Sequence, residues 1–151
     1  MNSDFSHNYG SGIYAIYIFG DDFFINNSNF TNNANGVRLS NMTNFEMHKC
    51  NFIDNVGEGI IHYIPVQSNI TENYWGDNSG PAIYDSGTAA LSGGSGQTIS
   101  YNSSRGEVVP LYCPWLNADG NLNYAGCPAG NNVTGNASDV VTDGIVITNV
   151  T

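Results

Sequence analysis

Basic residues are almost absent from this chain. Arg38, Lys49 and Arg105 stand against 13 acids, for a formal net charge of −10. Nucleic acid and anionic membrane surfaces are gripped through clusters of Lys and Arg, so neither is expected as a partner. Long apolar runs are missing too. None approaches the ~20 residues of a membrane span, so no membrane insertion is expected of this stretch. No window sustains apolar spacing at i, i+3, i+4 and i+7, so no helix is expected. Leucine is scarce, which excludes a leucine-rich repeat, since that design needs a Leu ladder. Met1 to Phe5 carry neither a basic n-region nor an apolar h-region, so no signal peptide is read there. Also missing are a Gly-x-Ser-x-Gly elbow and a phosphate-cradling loop.

Asparagine and a repeat fill the space these absences leave. The chain holds 23 Asn in 151 residues. Asn29-Phe30-Thr31-Asn32-Asn33-Ala34-Asn35-Gly36-Val37 is echoed by Asn51-Phe52-Ile53-Asp54-Asn55-Val56-Gly57-Glu58-Gly59-Ile60. Asp4-Phe5-Ser6-His7-Asn8-Tyr9-Gly10-Ser11-Gly12-Ile13 has the same skeleton: Phe-x-x-Asn, a Gly-containing bend, then an aliphatic residue. The Phe anchors are Phe5, Phe30 and Phe52, and a degenerate fourth copy follows at Ile70-Thr71-Glu72-Asn73. Self-similarity at a period in the low twenties is the mark of a solenoid. The apolar positions are Phe, Ile, Val and Tyr, which suit pleated strands. The polar ones supply turns and tolerate left-handed backbone.

The fold class expected is therefore all-β: a right-handed parallel β-helix, partial, with a C-terminal cap and an irregular tail. Each Phe should point inward and stack on the next, about 4.8 Å away. Phe5, Phe30 and Phe52 should share one interior column, and Ile13, Val37 and Ile60 another. The Asn of each Phe-x-x-Asn should hydrogen-bond along its own column. Coils are expected over residues 1–84, with an apolar strand from Ile13 to Phe19. A flexible Gly/Ser loop and a capping segment follow over 85–116. Residues 117–151 read as a turn-rich linker and the start of a further β segment, around Val140 to Thr151. Because the chain opens inside a repeat with no capping unit, it is expected to be a fragment. A short intact protein with an unusual start is the alternative.

Cys50 precedes Phe52 within a repeat and reads as a small buried hydrophobe. Cys113 and Cys127 bracket a loop rich in Pro, Gly and Asn. A disulfide there would agree with an oxidising compartment, and two unpaired thiols fit the spacing equally well.

Two further segments make the sequence recognisable. Asn73-Tyr74-Trp75-Gly76, Gly80-Pro81 and, at a distance, Val109-Pro110-Leu111-Tyr112-Cys113-Pro114-Trp115-Leu116 resemble the closing signature of right-handed parallel β-helix repeat proteins. The Phe-x-x-Asn repeats resemble those of adhesin-like surface proteins of methanogenic archaea and bacteria. The resemblance covers about residues 1–116. It implies an extracellular or cell-surface protein whose Trp and Gly-Pro pieces end the stack. The N-terminal coils and the wall anchor of that pattern are missing here.

Chemistry is sparse. Aligning Ile70 with Phe52 sets Glu72 over Asp54, a carboxylate pair that could hold calcium or serve glycoside hydrolysis. A solvated bend is the plainer reading, and calcium is the one cofactor considered. His7, His48 and His62 hold different repeat positions, so no transition-metal site is expected. Asn117 to Asn123 carries oxygen ligands at alternate positions but reads as an Asp-Gly turn. For ligand binding, the candidates are Tyr63, Tyr74 and Trp75, whose rings could stack on sugars. The expected role is non-enzymatic and adhesin-like, contacting a polysaccharide or a cell-surface glycan. The alternative is part of a β-helix polysaccharide lyase or glycoside hydrolase.

Overall fold

The structure, a computed structural model, describes residues 3–16 and 23–131. These residues are all-β with largely parallel sheets. They contain no α-helix, only a 3₁₀ turn at Ser103–Arg105. The strands in chain order are β1 (Ser3–Ser6), β2 (Ser11–Ile16), β3 (Phe23–Asn26), β4 (Ser28–Thr31), β5 (Asn35–Ser40), β6 (Phe45–His48) and β7 (Asn51–Ile53). They continue with β8 (Ile60–Tyr63), β9 (Pro81–Asp85), β10 (Ala90–Gly93), β11 (Gly96–Tyr101), β12 (Trp115–Leu116) and β13 (Leu122–Asn123).

Three largely parallel sheets share the repeat. One runs β1-β4-β7, a second pairs β3 with β6, and the largest runs β2-β5-β8-β11-β9-β10. Single parallel bridges carry the first two further, from Asn51 to Tyr74 to Leu116 and from Glu46 to Asn69 to Leu111. The register is that of the repeat. Phe5 opposes Phe30 and Phe30 opposes Phe52, and Ile13, Val37 and Ile60 form a second row. The Phe rings stack at centroid distances of 5.1 Å with their planes nearly parallel. Trp75 completes the pile 4.7 Å from Phe52. Phe30, Phe52 and Trp75 are fully buried, and Phe5 is half-buried at the edge. Each stacked pair adds about 0.5–1.5 kcal/mol to its area burial, which makes this pile a large single source of core stability. A third apolar row, Ile25 against Met47, was not read from the sequence. It recurs with the same spacing as Phe30 and Phe52.

The Asn column forms as expected. Asn33 Oδ1 accepts from the backbone and side-chain N–H of Asn8, and Asn55 Oδ1 accepts from the same two groups of Asn33. The Asn33 and Asn55 amides also donate to the carbonyls of Phe5 and Phe30. Thus Asn33 and Asn55, both buried, use their polar capacity on the neighbouring strand turn rather than on water.

Glycine and left-handed backbone divide differently from expectation. The left-handed corners hold His7, Asn32 and Asp54 in one set, and Asn27, Lys49 and Glu72 in another. Gly12, Gly36 and Gly59 are needed for close approach instead. A Cβ on Gly36 would strike the Gly59 carbonyl oxygen and lie 2.8 Å from the Phe52 ring. The repeat glycine is thus the floor against which the next aromatic ring lies.

Two expectations are corrected. Residues 85–104 are not a flexible loop: β10 turns back antiparallel on β9, and β11 then slides between β8 and β9, parallel to both. The fourth repeat copy is also shifted. Trp75, not Ile70, stacks on Phe52, and Ile70 falls beside Met47. Cys113 and Cys127 are disulfide-bonded, with Cα atoms 5.8 Å apart. Cys50 is buried and unpaired, and burial pushes its thiol up to about 11. Trp115 lies against Gly80, where no side chain would fit, and its indole N–H donates to the Asn78 carbonyl. The outer part of the Ile13–Phe19 strand beyond Ile16, and the β segment expected around Val140, lie outside the described residues.

Candidate functional site

Alternation along a strand decides which side chains face outward. On β3, Phe23 and Ile25 face the core, so Phe24 faces out and is 54% exposed. On β6, Phe45 and Met47 face in, which turns Glu46 and His48 out. Phe24 opposes Glu46 in the β3–β6 register, and Glu46 bridges to Asn69. An exposed ring, a carboxylate and an amide therefore stand in one row at strand spacing. Phe23, Asn44, Phe45 and Gln67 complete the walls of a groove of about 250 Å³. His48 Nε2 lies 3.6 Å from Glu46, and its Nδ1 is 2.9 Å from the Thr71 carbonyl oxygen. The Asn69 carboxamide oxygen accepts from Thr71 N–H and Oγ, which fixes that side chain.

The residues singled out in the sequence do not gather at this groove. Trp75 is wholly buried under the Phe52 ring, so it is a core residue and offers no face to a ligand. Its burial follows from the register shift that puts it in the Phe column. Tyr74 is half-buried on the strand-like bridge between Asn51 and Leu116. Tyr63 is half-buried on β8, and its ring flanks the Arg38 guanidinium at 5.5 Å. Tyr14, 59% exposed, flanks the same guanidinium at 5.2 Å.

The proposed carboxylate pair does not form. Glu72 lies beside Lys49, whose N–H donates to the Glu72 carbonyl at 2.8 Å, whereas Asp54 belongs to the corner that follows Phe52. Sequence alignment placed them together because it matched Ile70 to the wrong apolar position. Among the described residues no group of three or more His, Cys, Asp and Glu could hold a metal ion, and the register sets Asp54 and Glu72 in different rows. The Asn117 segment is a turn: Asn117 Oδ1 accepts from Asp119 and Asn121 N–H.

Two polar groups are buried for structural ends. His62, fully buried on β8, meets Ser68 Oγ at 2.8 Å, and burial pulls its pKa down to about 4. Asp85 accepts from the side chain and N–H of Ser103 and from Gly87 N–H and Thr88 Oγ, which hold it down at about 2. Phe24, Glu46, Asn69 and Arg38 were missed in the sequence. The signal for Phe24 was there: in a Phe-Phe pair on a strand, one ring must face out.

The chain matches no family model, no curated protein sequence and no solved structure.

Proposed function

We propose that this chain is a right-handed parallel β-helix of an extracellular or cell-surface protein, with an adhesin-like, non-enzymatic role in contacting carbohydrate. The observation that carries the ligand class is the Phe24–Glu46–Asn69 row in its groove. A sugar ring offers an apolar face of C–H groups and an edge of hydroxyls. An exposed Phe ring can stack on the first, while a carboxylate and amides can hydrogen-bond the second. Supporting the β-helix are the parallel registers that follow the repeat and the stacked Phe and Asn columns. The Cys113–Cys127 disulfide is consistent with an oxidising compartment.

The enzymatic alternative, a lyase or glycoside hydrolase, has less support. Hydrolysis of a glycosidic bond uses two carboxyl groups about 5–5.5 Å or about 6.5–9.5 Å apart. Glu46 is the only carboxylate lining the groove among the described residues.

Calorimetry against neutral oligosaccharides tests the reading. Binding is expected for wild type, and Phe24→Ala is expected to weaken it at least tenfold with little change in stability, since the ring is more than half exposed. Equal affinity in the two proteins would end the groove assignment. Release of reducing sugar that disappears in Glu46→Gln would favour the enzyme.

A further inference from the structure

The outer face of the largest sheet carries a second feature, on a different sheet from the groove row. Arg38 lies on β5, between β2 and β8. Tyr14 opposes it directly on one side, and Tyr63 sits diagonally on the other, two positions along from Ile61, the residue that pairs with Arg38. The guanidinium carbon is 5.2 Å from one ring centroid and 5.5 Å from the other. Two rings on opposite neighbouring strands thus hold one cation between them by cation–π attraction.

The charge at this place is unusual for this protein. Following the register outward from Tyr14, the row reads Tyr14, Arg38, Ile61, Ser100, Tyr84 and Leu91. It contains no carboxylate, although the chain has 13 acids and only three Lys and Arg. No ion pair to Arg38 exists among the described residues, and its Nε is shielded from solvent without an acceptor. Most Arg side chains on an acidic surface find a carboxylate. This one lies between two rings, and its planar fork matches a carboxylate bidentately, end-on through the two terminal nitrogens.

We propose that Tyr14, Arg38 and Tyr63 form a subsite for the carboxylate of an acidic sugar, with the Tyr14 ring supplying the stacking face. The proposal rests on the carbohydrate reading for its ligand class but not on the groove. The preformed clamp explains how a chain of charge −10 can hold an anion. Exposed repulsive charges more than about 8 Å away are screened at physiological salt, whereas the fork acts at contact.

The test uses the full chain at physiological salt, titrated with trigalacturonate, its methyl ester and a neutral trisaccharide. Side-chain signals of Arg38 and the ring signals of Tyr14 and Tyr63 report location by NMR. Expected is binding of trigalacturonate, at least tenfold weaker for the methyl ester, with shifts at those three residues. Arg38→Gln should weaken it at least tenfold, and Arg38→Lys should recover only part, since a point charge lacks the fork. If Arg38→Gln does not fold, the ester comparison and the NMR shifts still decide. Equal binding of acid and ester, no binding of the acid, or shifts confined to other residues would overturn the subsite. Loss of trigalacturonate binding in Arg38→Gln, with Phe24→Ala silent and no neutral sugar bound, would support the subsite and sink the groove. The reverse pattern would do the opposite.

Discussion

The described residues of 3–75 and residues 81–131 pair their backbones differently. In the first region every strand pairing is parallel, and rows advance in chain order: Phe5, Phe30, Phe52, Trp75. In the second, order breaks. β9 leaves a gap beside β8, β10 folds back antiparallel, and β11 fills the gap. β12 and β13 are antiparallel as well, and the disulfide and Trp115 lie among them. The difference teaches how repetition ends. A parallel stack presents an unpaired edge after each row, and an unpaired edge recruits further strands. The antiparallel pairs β9–β10 and β12–β13 instead take their partners from the same short stretch of chain.

The sharpest way to break this comparison is to remove a ring from the first region and an apolar side chain from the edge of the second. Phe30→Ala should cost about 3–5 kcal/mol, because it empties a site between two stacked rings. Leu91→Ala, on the exposed β10, should stay within about 0.5 kcal/mol. Urea unfolding of both variants measures this. Comparable losses would mean that the closing hairpin is part of the core in a way its exposure does not reveal.

His62 sits on β8, the strand that joins the regions by pairing with both β5 and β11. Its folded pKa of about 4 lies below the ordinary 6.5, so between these values the unfolded chain binds the extra proton. Stability should therefore be full above pH 6.5 and fall as pH drops towards 4, by up to about 3 kcal/mol. Asp85 acts in a lower window: its depressed pKa stabilises above the ordinary carboxylate range, and that stability is lost as pH falls towards 2. Thermal melts of wild type and His62→Leu, taken from neutral pH down to the folded His62 pKa, separate the two. A slope that survives in His62→Leu would mean that another group carries it.

The smallest effect concerns the left-handed corners of the first region. Glu72 holds φ 59° with a side chain poorly suited to it. Left-handed backbone costs an L-residue about 1–2 kcal/mol, and glycine's extra chain entropy offsets about 0.5–1 kcal/mol of that. Glu72→Gly should therefore raise stability by about 0.5–1 kcal/mol, measured by urea midpoint. A loss instead would show that the Glu72 side chain makes a contact worth more than the strain.

Much of the first region was legible in the chain. A Phe-x-x-Asn recurring at nearly constant spacing determined an all-β molecule with one aromatic column, one aliphatic column and an Asn ladder, because equal local sequences make equal turns and so equal rows. The same regularity misled at Ile70-Thr71-Glu72-Asn73, where the copy was matched by its Asn rather than by its large ring, and a false carboxylate pair followed. The second region has no repeat to read. Its Gly and Ser are compatible with a loop, and only the vacant edges of β8 and β9 turn Gly96–Tyr101 into a strand. The groove at Phe24 and the clamp at Arg38 were likewise decided by tertiary structure. Each needs side chains from strands far apart in the chain to meet on one outer face, and which face a residue takes depends on a register that local sequence does not state.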